Sequence, residues 1–566
     1  MLRRTKERLR WFVLNPGEER RRLAKHAGDV IPWLAALLVL CWPWSPLPVG
    51  YLVNDDLAII EFLSRGLDPV FMSVLLGRLL STGYRLFGTQ APVYPIFLNA
   101  CLALCAATYA HCVLTARSRG PRDPVTLFAF AVYAVLLSRL CMFITFTTVA
   151  AAVAAHGMFL LLTGKDRASA LIAGTLVGTG ALIRFDAAAL SGLLFAVPLT
   201  LWAASDPGRL RRAAFAALPL LLLLTAEQAV VRWDVSDAYR SFAAFNAVRG
   251  KVHGFPIMEQ QRGNAALLEA NRWTTTDFEL FRNWSYPDET KFNLHTVSNV
   301  LNFPVPAISA GHHTLVGEHM ARFFTGHSVY LSALVLMLAL SFALSGRRWI
   351  IAGVAHALMF LGLGLALELW FRFPLRVGES ALLAGMLAMF GLFHLAPNAD
   401  ALRPARVRAA LAVGACVLFI AWRGTSVLAE GIQVRARQQQ RTAEVAHLNE
   451  RYANRILVVW PSLPPPGQLL HPVRRDRLRF DVMFYGWTTF SEFFYADISH
   501  LLGVRTGAQV WPALARRDDV VFMAPESGMR LVEQTLLETY RLPTQSILLE
   551  TFDGVSYWRL QVRDVR

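Results

Sequence analysis

Eleven runs of apolar residues constrain this chain more than any other feature of its sequence. They lie near 30–52, 92–114, 125–143, 144–163, 168–183, 187–204, 213–231, 327–345, 349–370, 380–396 and 407–424. About 20 apolar residues in helical form cross the hydrocarbon core of a bilayer, and most of these runs approach that length. In a chain of 566 residues, 55% are hydrophobic and only 17% charged, more apolar side chain than one water-soluble core needs. Lipid is therefore the expected solvent for residues 30–425.

The formal charge of +16 could be read as an affinity for nucleic acid, but its distribution argues otherwise. The first 29 residues carry nine Lys/Arg against four Asp/Glu, and further cations sit in short gaps between apolar runs: Arg117, Arg119 and Arg122; Lys165 and Arg167; Arg209, Arg211 and Arg212; Arg347 and Arg348; Arg403, Arg406 and Arg408. With the N-terminus inside, all six segments fall on the cytoplasmic side, which is the positive-inside pattern. Residues 1–29 read as a basic cytoplasmic tail lying on anionic headgroups. No cleavable signal peptide is expected, because that tail is long and charged and no small-residue cleavage site follows the first apolar run. All six cysteines lie in apolar stretches, so neither a disulfide framework nor a thiolate metal site is expected.

This orientation sends the remaining polar segments outward: 53–91, a tight turn near Arg139, 184–186, the long loop 232–326, 370–379 and everything after about 425. Residues 426–454 read as a helix leading out of the last run. Strands are expected at 455–460 and 519–523, a helix at 526–540, and a hairpin of 546–552 with 555–561 across Asp553-Gly554. The predicted fold class is an all-α polytopic membrane bundle of about eleven transmembrane helices with a small C-terminal α/β extracytoplasmic domain. Its divisions are 1–29, 30–425 and 426–566. The last division lacks a nucleotide-type glycine loop and reads as an accessory domain.

Candidate chemistry lies almost entirely in the outward segments. Asp55 and Asp56 follow the first run directly and precede two short amphipathic segments. A helix start needs only one such carboxylate, so the second suggests a general base and its orienter. Arg78, Arg139, Arg184, Arg372 and Arg376 sit at expected outward ends of spans, where they could hold a phosphate or snorkel to headgroups. Two clusters stand out. Arg184 and Asp186 interrupt an apolar hairpin, and WFRFPLRVGES (370–380) gathers Arg372, Arg376, two Phe and Glu379 around Pro374. The loop 232–326 is rich in aromatic and hydrogen-bonding residues suited to sugar rings, among them Trp284, Tyr286, His312 and His313. Adjacent histidines point apart and no HExxH is present, so no metal site is expected.

An acidic pair in the first outward loop, amphipathic segments after it and a long outward loop late in the bundle resemble the GT-C superfamily of membrane glycosyltransferases. Within it the chain is similar to the polyprenyl-phosphate-sugar branch of protein mannosyltransferases and aminoarabinose transferases. The resemblance spans 30–425 and rests on architecture and on Asp55-Asp56. It implies transfer of one sugar, with inversion, from a polyprenyl-phosphate donor to an extracytoplasmic glycan, lipid or protein acceptor. Asp55 or Asp56 would act as base, and the arginines would neutralise the lipid phosphate. No cofactor is expected; a divalent metal, which some members use, is not needed where arginines hold the phosphate. The resemblance also implies a multi-pass protein of a bacterial inner membrane, with membrane lipids but no nucleic acid as partners. The rival readings are a polymerase or ligase using lipid-pyrophosphate oligosaccharides, a transporter or flippase, and a non-catalytic subunit that recruits partners. Transporters of the inverted-repeat kind show matched broken helices, which this sequence does not display.

Overall fold

The computed structural model describes residues 30–45, 47–51, 55–115, 124–254, 257–286, 288–304, 312–344, 346–370, 373–396, 404–463, 473, 478–484 and 486–563. The basic tail, Arg117, Arg119, Arg122, Arg372 and Arg403 lie outside the described residues. Each of the eleven apolar runs contains a helix, although in the run 30–52 the apolar helix covers only Val30–Leu40. Six helices are long and apolar enough to cross a membrane: Val93–Leu114, Phe146–Thr163, Pro207–Trp233, Arg347–Leu369, Leu375–Leu395 and Ala410–Arg451. Two bent pairs raise the number to eight: Phe185–Leu194 with Ala196–Ala204 at 56°, and His319–Gly326 with Ser328–Ala343 at 73°. The runs at Val30–Leu40, Leu127–Met142 and Arg167–Ile183 form shorter apolar helices. By length and composition, then, six to eight spans are supported among the described residues, and the three shorter apolar helices account for the rest of the eleven runs. Apolar content marks where a helix lies, while helix breaks decide how much of it is continuous.

Burial sorts the helices into centre and rim. Phe146–Thr163 and Leu375–Leu395 are 89% and 83% buried over their apolar windows, as expected of helices that are hydrophobic all round and packed on every side. Pro207–Trp233 is only 6% buried over its window and turns its Leu-rich surface outward. Between apolar helices in lipid, close packing replaces the hydrophobic driving force, and small residues permit it. A Cβ on Gly174 would stand 1.8 Å from the carbonyl oxygen of Ala216, and one on Gly180 would stand 2.6 Å from that of Ala150. The helix 167–183 is thereby pressed against backbone on two sides.

Two elements position the segment 55–91. Strand β1 (Gly50–Tyr51) pairs in parallel with β2 (Phe143–Ile144), where the sequence suggested only a turn near Arg139; Arg139 itself lies in the last turn of the helix Pro124–Met142. The helix Asp55–Ser64 follows, and then Val74–Phe87. The second helix starts on Ser73, whose Oγ accepts from Leu76 N at 3.0 Å, and on Glu227, whose carboxylate accepts from Val74 N and Leu75 N at 2.9 Å each. A carboxylate on unsatisfied N–H groups suits a helix N-terminus.

The C-terminal segment forms a five-stranded sheet in the order β4-β3-β5-β7-β6, from β3 (Ile456–Val459), β4 (Asp481–Phe484), β5 (Val520–Met523), β6 (Thr544–Phe552) and β7 (Val555–Val562). Strands β3, β4 and β5 are parallel, and β6–β7 is the antiparallel hairpin expected from Asp553-Gly554. The helix Pro404–Arg451 runs 48 residues from the bundle to the sheet, about 70 Å at the α-helical rise. Its end packs Leu448 on one face of the sheet, beside Tyr452, Leu457, Val459 and Val521. The other face is covered by helices of the long loop: Phe245, Val252, Phe281 and Tyr286 share one apolar core with Ile456, Val458, Phe522 and Val532. The loop and the C-terminal segment thus fold against each other rather than apart.

The Gly174 contact predicts that Gly174→Ala lowers the melting temperature of the detergent-solubilised protein, by an amount equivalent to about 1–3 kcal/mol of overpacking. Gly414→Ala, where a Cβ meets nothing within 4 Å, is the control and should leave it unchanged. Equal melting curves for the two variants would show that the Ala216 carbonyl retreats freely.

Candidate active site

Asp55 and Asp56 open the helix Asp55–Ser64, so both lie in the first turn, where the N-terminal dipole favours carboxylates. Their surroundings differ. The Asp56 side chain is fully buried. Its Oδ1 accepts from the Tyr94 hydroxyl at 2.7 Å and from Phe146 N at 3.0 Å, and its buried Oδ2 meets no partner among the described residues. Burial pushes its pKa up to about 7, against the pull of those two donors; the neighbouring Asp55 pushes the same way. Asp55 is partly exposed and faces Arg376, with Oδ2 3.4 Å from Nη1.

Arg184 links two helices at the break between Ile183 and Phe185. Its Nη1 donates to Thr147 Oγ1 at 3.1 Å, and its guanidinium lies 5.0 Å from the Phe146 ring centroid. It sits within electrostatic range of Arg376, Asp186, Asp55 and Asp56. Arg376, in the first turn of Leu375–Leu395, has a buried Nε with no partner among the described residues. Four residues separated by up to 321 positions therefore converge: two carboxylates, one buried and one facing the cations, and two guanidinium groups. Two guanidinium groups within each other's field, with Asp55 the carboxylate paired to Arg376, form a place where an anion is welcome. Asp186 is exposed in the next helix and contributes only its field.

The other candidate residues are placed elsewhere. Arg78 binds Asp68 through two bonds of 2.9 Å and also pairs with Asp234. Its charge is spent in tying the helix Val74–Phe87 to the end of Pro207–Trp233. Arg139 and Glu379 belong to a four-membered ion cluster with Arg423 and Glu430, buried except at Glu430, whose side chain is 29% exposed. Arg139 Nε lies 2.6 Å from Glu430 and 3.7 Å from Glu379, while Arg423 lies 2.7 Å from Glu379 and 3.0 Å from Glu430. Glu379 is one helical turn beyond Arg376, so this cluster abuts the site without opening into it. Trp284 and Tyr286 lie in the core shared by loop and sheet, where Trp284 stacks on His253 at 3.9 Å. His312 and His313 begin the helix His312–Gly326; their side chains, like Arg372, lie outside the described residues. Among the described residues no three His, Cys, Asp or Glu side chains are grouped to hold a metal ion.

Several residues of the site carried no signal in the sequence. Tyr94 lies in an apolar run, yet its hydroxyl holds Asp56. Arg249, in the loop helix Asp237–Gly254, is fully buried. It donates to the Tyr286 hydroxyl at 2.9 Å and to the carbonyl of Trp487 at 2.7 Å, and it lies within electrostatic range of Asp55. It fixes the turn at 486–490, and Trp487 from that turn packs against Phe71 at 4.5 Å and parallel to Phe62 at 6.0 Å. Arg65 pairs with Asp497, a second tie between the Asp55 helix and the C-terminal segment.

The raised pKa gives a signed prediction. Between about pH 4 and 7 folded Asp56 holds a proton that the unfolded chain has released, so its contribution to stability falls as pH rises through that window. Asn at position 56 keeps the Oδ1 acceptor and resembles the neutral acid. Asp56→Asn should therefore flatten the fall in melting temperature between pH 5 and 8 and gain on the wild type toward pH 8. Parallel curves for the two proteins would contradict the assignment.

No protein-family model matches the chain, and no curated protein matches it. Among solved structures the chain is similar to that of ArnT from Cupriavidus metallidurans bound to undecaprenyl phosphate. The two are 13% identical with a TM-score of 0.39, over 94% of this chain and 98% of that one.

Proposed function

We propose that this chain is a membrane glycosyltransferase of the GT-C type that moves one sugar, with inversion, from a polyprenyl-phosphate donor to an extracytoplasmic acceptor. The observation that carries the reading is the convergence of Arg184 and Arg376 on Asp55 at the end of the bundle that bears the sheet. A glycosyl phosphate needs cations where its phosphate departs and a carboxylate where the acceptor hydroxyl is deprotonated.

In the proposed reaction the acceptor oxygen attacks the anomeric carbon on the face opposite the phosphate, giving its proton to Asp55. The bond from that carbon to the phosphate oxygen breaks, and the lipid phosphate leaves with the electron pair, neutralised by Arg184 and Arg376. Asp56 is too deeply buried to touch substrate. Its role in this reading is to anchor the helix start and aim its neighbour. Arg372 would extend the phosphate site from the same span exit. In this reading the eleven apolar helices are eleven spans in a bacterial inner membrane. Residues 1–29 are cytoplasmic, 30–425 form the catalytic bundle, and 426–566 lie outside together with the loop 232–326.

Two experiments test the proposal. Purified wild type in nanodiscs should bind undecaprenyl phosphate, and Arg184→Gln or Arg376→Gln should weaken binding at least tenfold. Asp55→Asn should retain binding while single-turnover transfer from polyprenyl-phosphate sugars falls by about 10²–10⁴. Unchanged binding in both arginine variants would refute the site. Secondly, because guanidinium groups supply the cationic charge, transfer should survive saturating chelator. Loss in chelator with rescue by a divalent ion would show that the arginines do not suffice.

A further inference from the structure

Another buried carboxylate stands at the span exit that carries Arg376. Glu368, in the last turn of the helix Arg347–Trp370, is 7% exposed. Among the described residues its two oxygens face two imidazoles: Oε1 lies 3.5 Å from His319 Nδ1, and Oε2 lies 3.4 Å from His327 Nε2. These gaps exceed an ordinary N–H···O bond. His319 Nδ1 is itself buried without a hydrogen-bond partner among the described residues. A buried carboxylate is costly unless it is neutral or paired with a cation. Imidazole is the side chain whose charge ordinarily changes between about pH 5 and 8. A ring that takes up a proton here becomes the cation this carboxylate lacks, and attraction then closes the gap toward hydrogen-bonding distance.

The rings sit where a small movement is passed on. His319 lies on the first helix of the bent pair and His327 at its joint, where His319–Gly326 and Ser328–Ala343 meet at 73°. The His327 side chain does not cap the second helix, so its ring is available to Glu368. It also packs against Phe373, with ring centroids 4.7 Å apart. Phe373 is 5% exposed and meets Tyr330 at 5.2 Å and Phe323 at 6.2 Å. Directly after it Pro374 caps the helix Leu375–Leu395, whose first turn holds Arg376. One imidazole and one phenyl ring thus connect the carboxylate to the arginine. A protonated His327 is drawn both to Glu368 and to the aromatic ring of Phe373. The other titratable groups on the elements packed around Glu368 are engaged or exposed. His356, on the same helix, bonds the Gly385 carbonyl, and Tyr330 bonds that of Phe360. Arg376 faces Asp55, Glu379 belongs to the ion cluster, and Arg322 and Asp186 are exposed. The side chains of Glu318 and Arg372 lie outside the described residues.

We propose that Glu368, His319 and His327 form a proton-dependent positioning device that seats the first turn of Leu375–Leu395, and with it Arg376. As the histidines are protonated, the bent pair closes on Glu368 and Phe373 is held more firmly, so Arg376 is fixed where an anion meets it. The consequence for a lipid phosphate rests on the transferase reading; the proton-dependent seating of the helix does not.

The test compares full-length wild type, His327→Gln and Glu368→Gln in nanodiscs at about pH 6 and about pH 8, on either side of the ordinary imidazole range. Hydrogen–deuterium exchange of amides 373–380, corrected for the intrinsic effect of pH, should show greater protection at pH 6 in the wild type. In both variants protection should be equal at the two pH values. A wild type without the difference, or variants that keep it, would overturn the proposal. Undecaprenyl phosphate binding is the second measurement. The Kd of each variant divided by that of the wild type at the same pH cancels the titration of the lipid phosphate. That ratio should rise at least about threefold from pH 8 to pH 6, the size of one cation–π or ion-pair contribution. A ratio independent of pH would show that these residues act on the phosphate site by packing alone and would overturn that consequence. Absence of lipid binding in all three proteins would sink the transferase reading, while the exchange data would still decide the seating of the helix.

Discussion

Asp56 is the point on which the arrangement of the site turns. A carboxylate placed where no water reaches is costly unless it is neutral or well bonded, and this one accepts from Tyr94 and from the first backbone N–H of the helix Phe146–Thr163. Three elements meet at that single side chain: the helix Asp55–Ser64, the span beginning near Val93 and the most deeply buried span of the bundle. The β1–β2 pairing immediately before both helices sets the same registration through backbone bonds. Asp55 is next in the chain and therefore has little freedom in where it faces. Its position opposite Arg376 follows from how its neighbour is held.

The bundle and the sheet are joined in an equally specific way. The long helix ending at Arg451 reaches the sheet only if its register within the bundle is correct, and the cluster of Arg139, Glu379, Arg423 and Glu430 sets that register. Buried ion pairs add little net stability compared with apolar packing, but loss of one partner leaves a charge stranded at a cost of about 3–5 kcal/mol. Such a cluster discriminates between registers more than it stabilises any one of them. A helix slipped by one turn would break the two pairs that cross to it, Arg139–Glu430 and Arg423–Glu379, and leave each side with only its own pair. Because Glu379 lies one turn from Arg376, the cluster that seats the long helix also seats an arginine of the candidate site.

The helices were legible in the sequence, and so were β3, β5 and the β6–β7 hairpin, because each rests on a local signal: an apolar run, a short β-branched stretch or an Asp-Gly turn. Continuity was less legible. Phe185–Leu194 and Ala196–Ala204 read as one run because hydropathy does not register a 56° bend. Four-residue β4 was missed, since Asp481–Phe484 is too short to show alternation and is recognisable only by its pairing with β3. Among site residues, Asp55, Asp56, Arg184 and Arg376 stood out as charges at the edges of apolar runs. Arg78 and Arg139 stood out for the same reason, and nothing local reveals that Asp68, Asp234, Glu430 and Glu379 already occupy them. Arg249 and Trp487 were invisible for the opposite reason: a buried arginine in a polar loop resembles an exposed one until the fold brings the turn at 486–490 against it.

The Asp55–Arg376 pair imposes an order on the reaction proposed for this site. While Arg376 faces Asp55, its acidic partner among the described residues, one carboxylate oxygen is directed at a cation rather than at an incoming hydroxyl. A phosphate between Arg184 and Arg376 relieves the repulsion of two guanidinium groups and competes with Asp55 for one of them, because a phosphate offers more charge and more acceptor oxygens than a single carboxylate. In the proposed reaction Asp55 would thereby be released toward the acceptor only after the donor is in place. Water entering an empty site meets a carboxylate still held by arginine. The same two charges would then serve both to bind the leaving group and to keep the base idle until there is something to transfer.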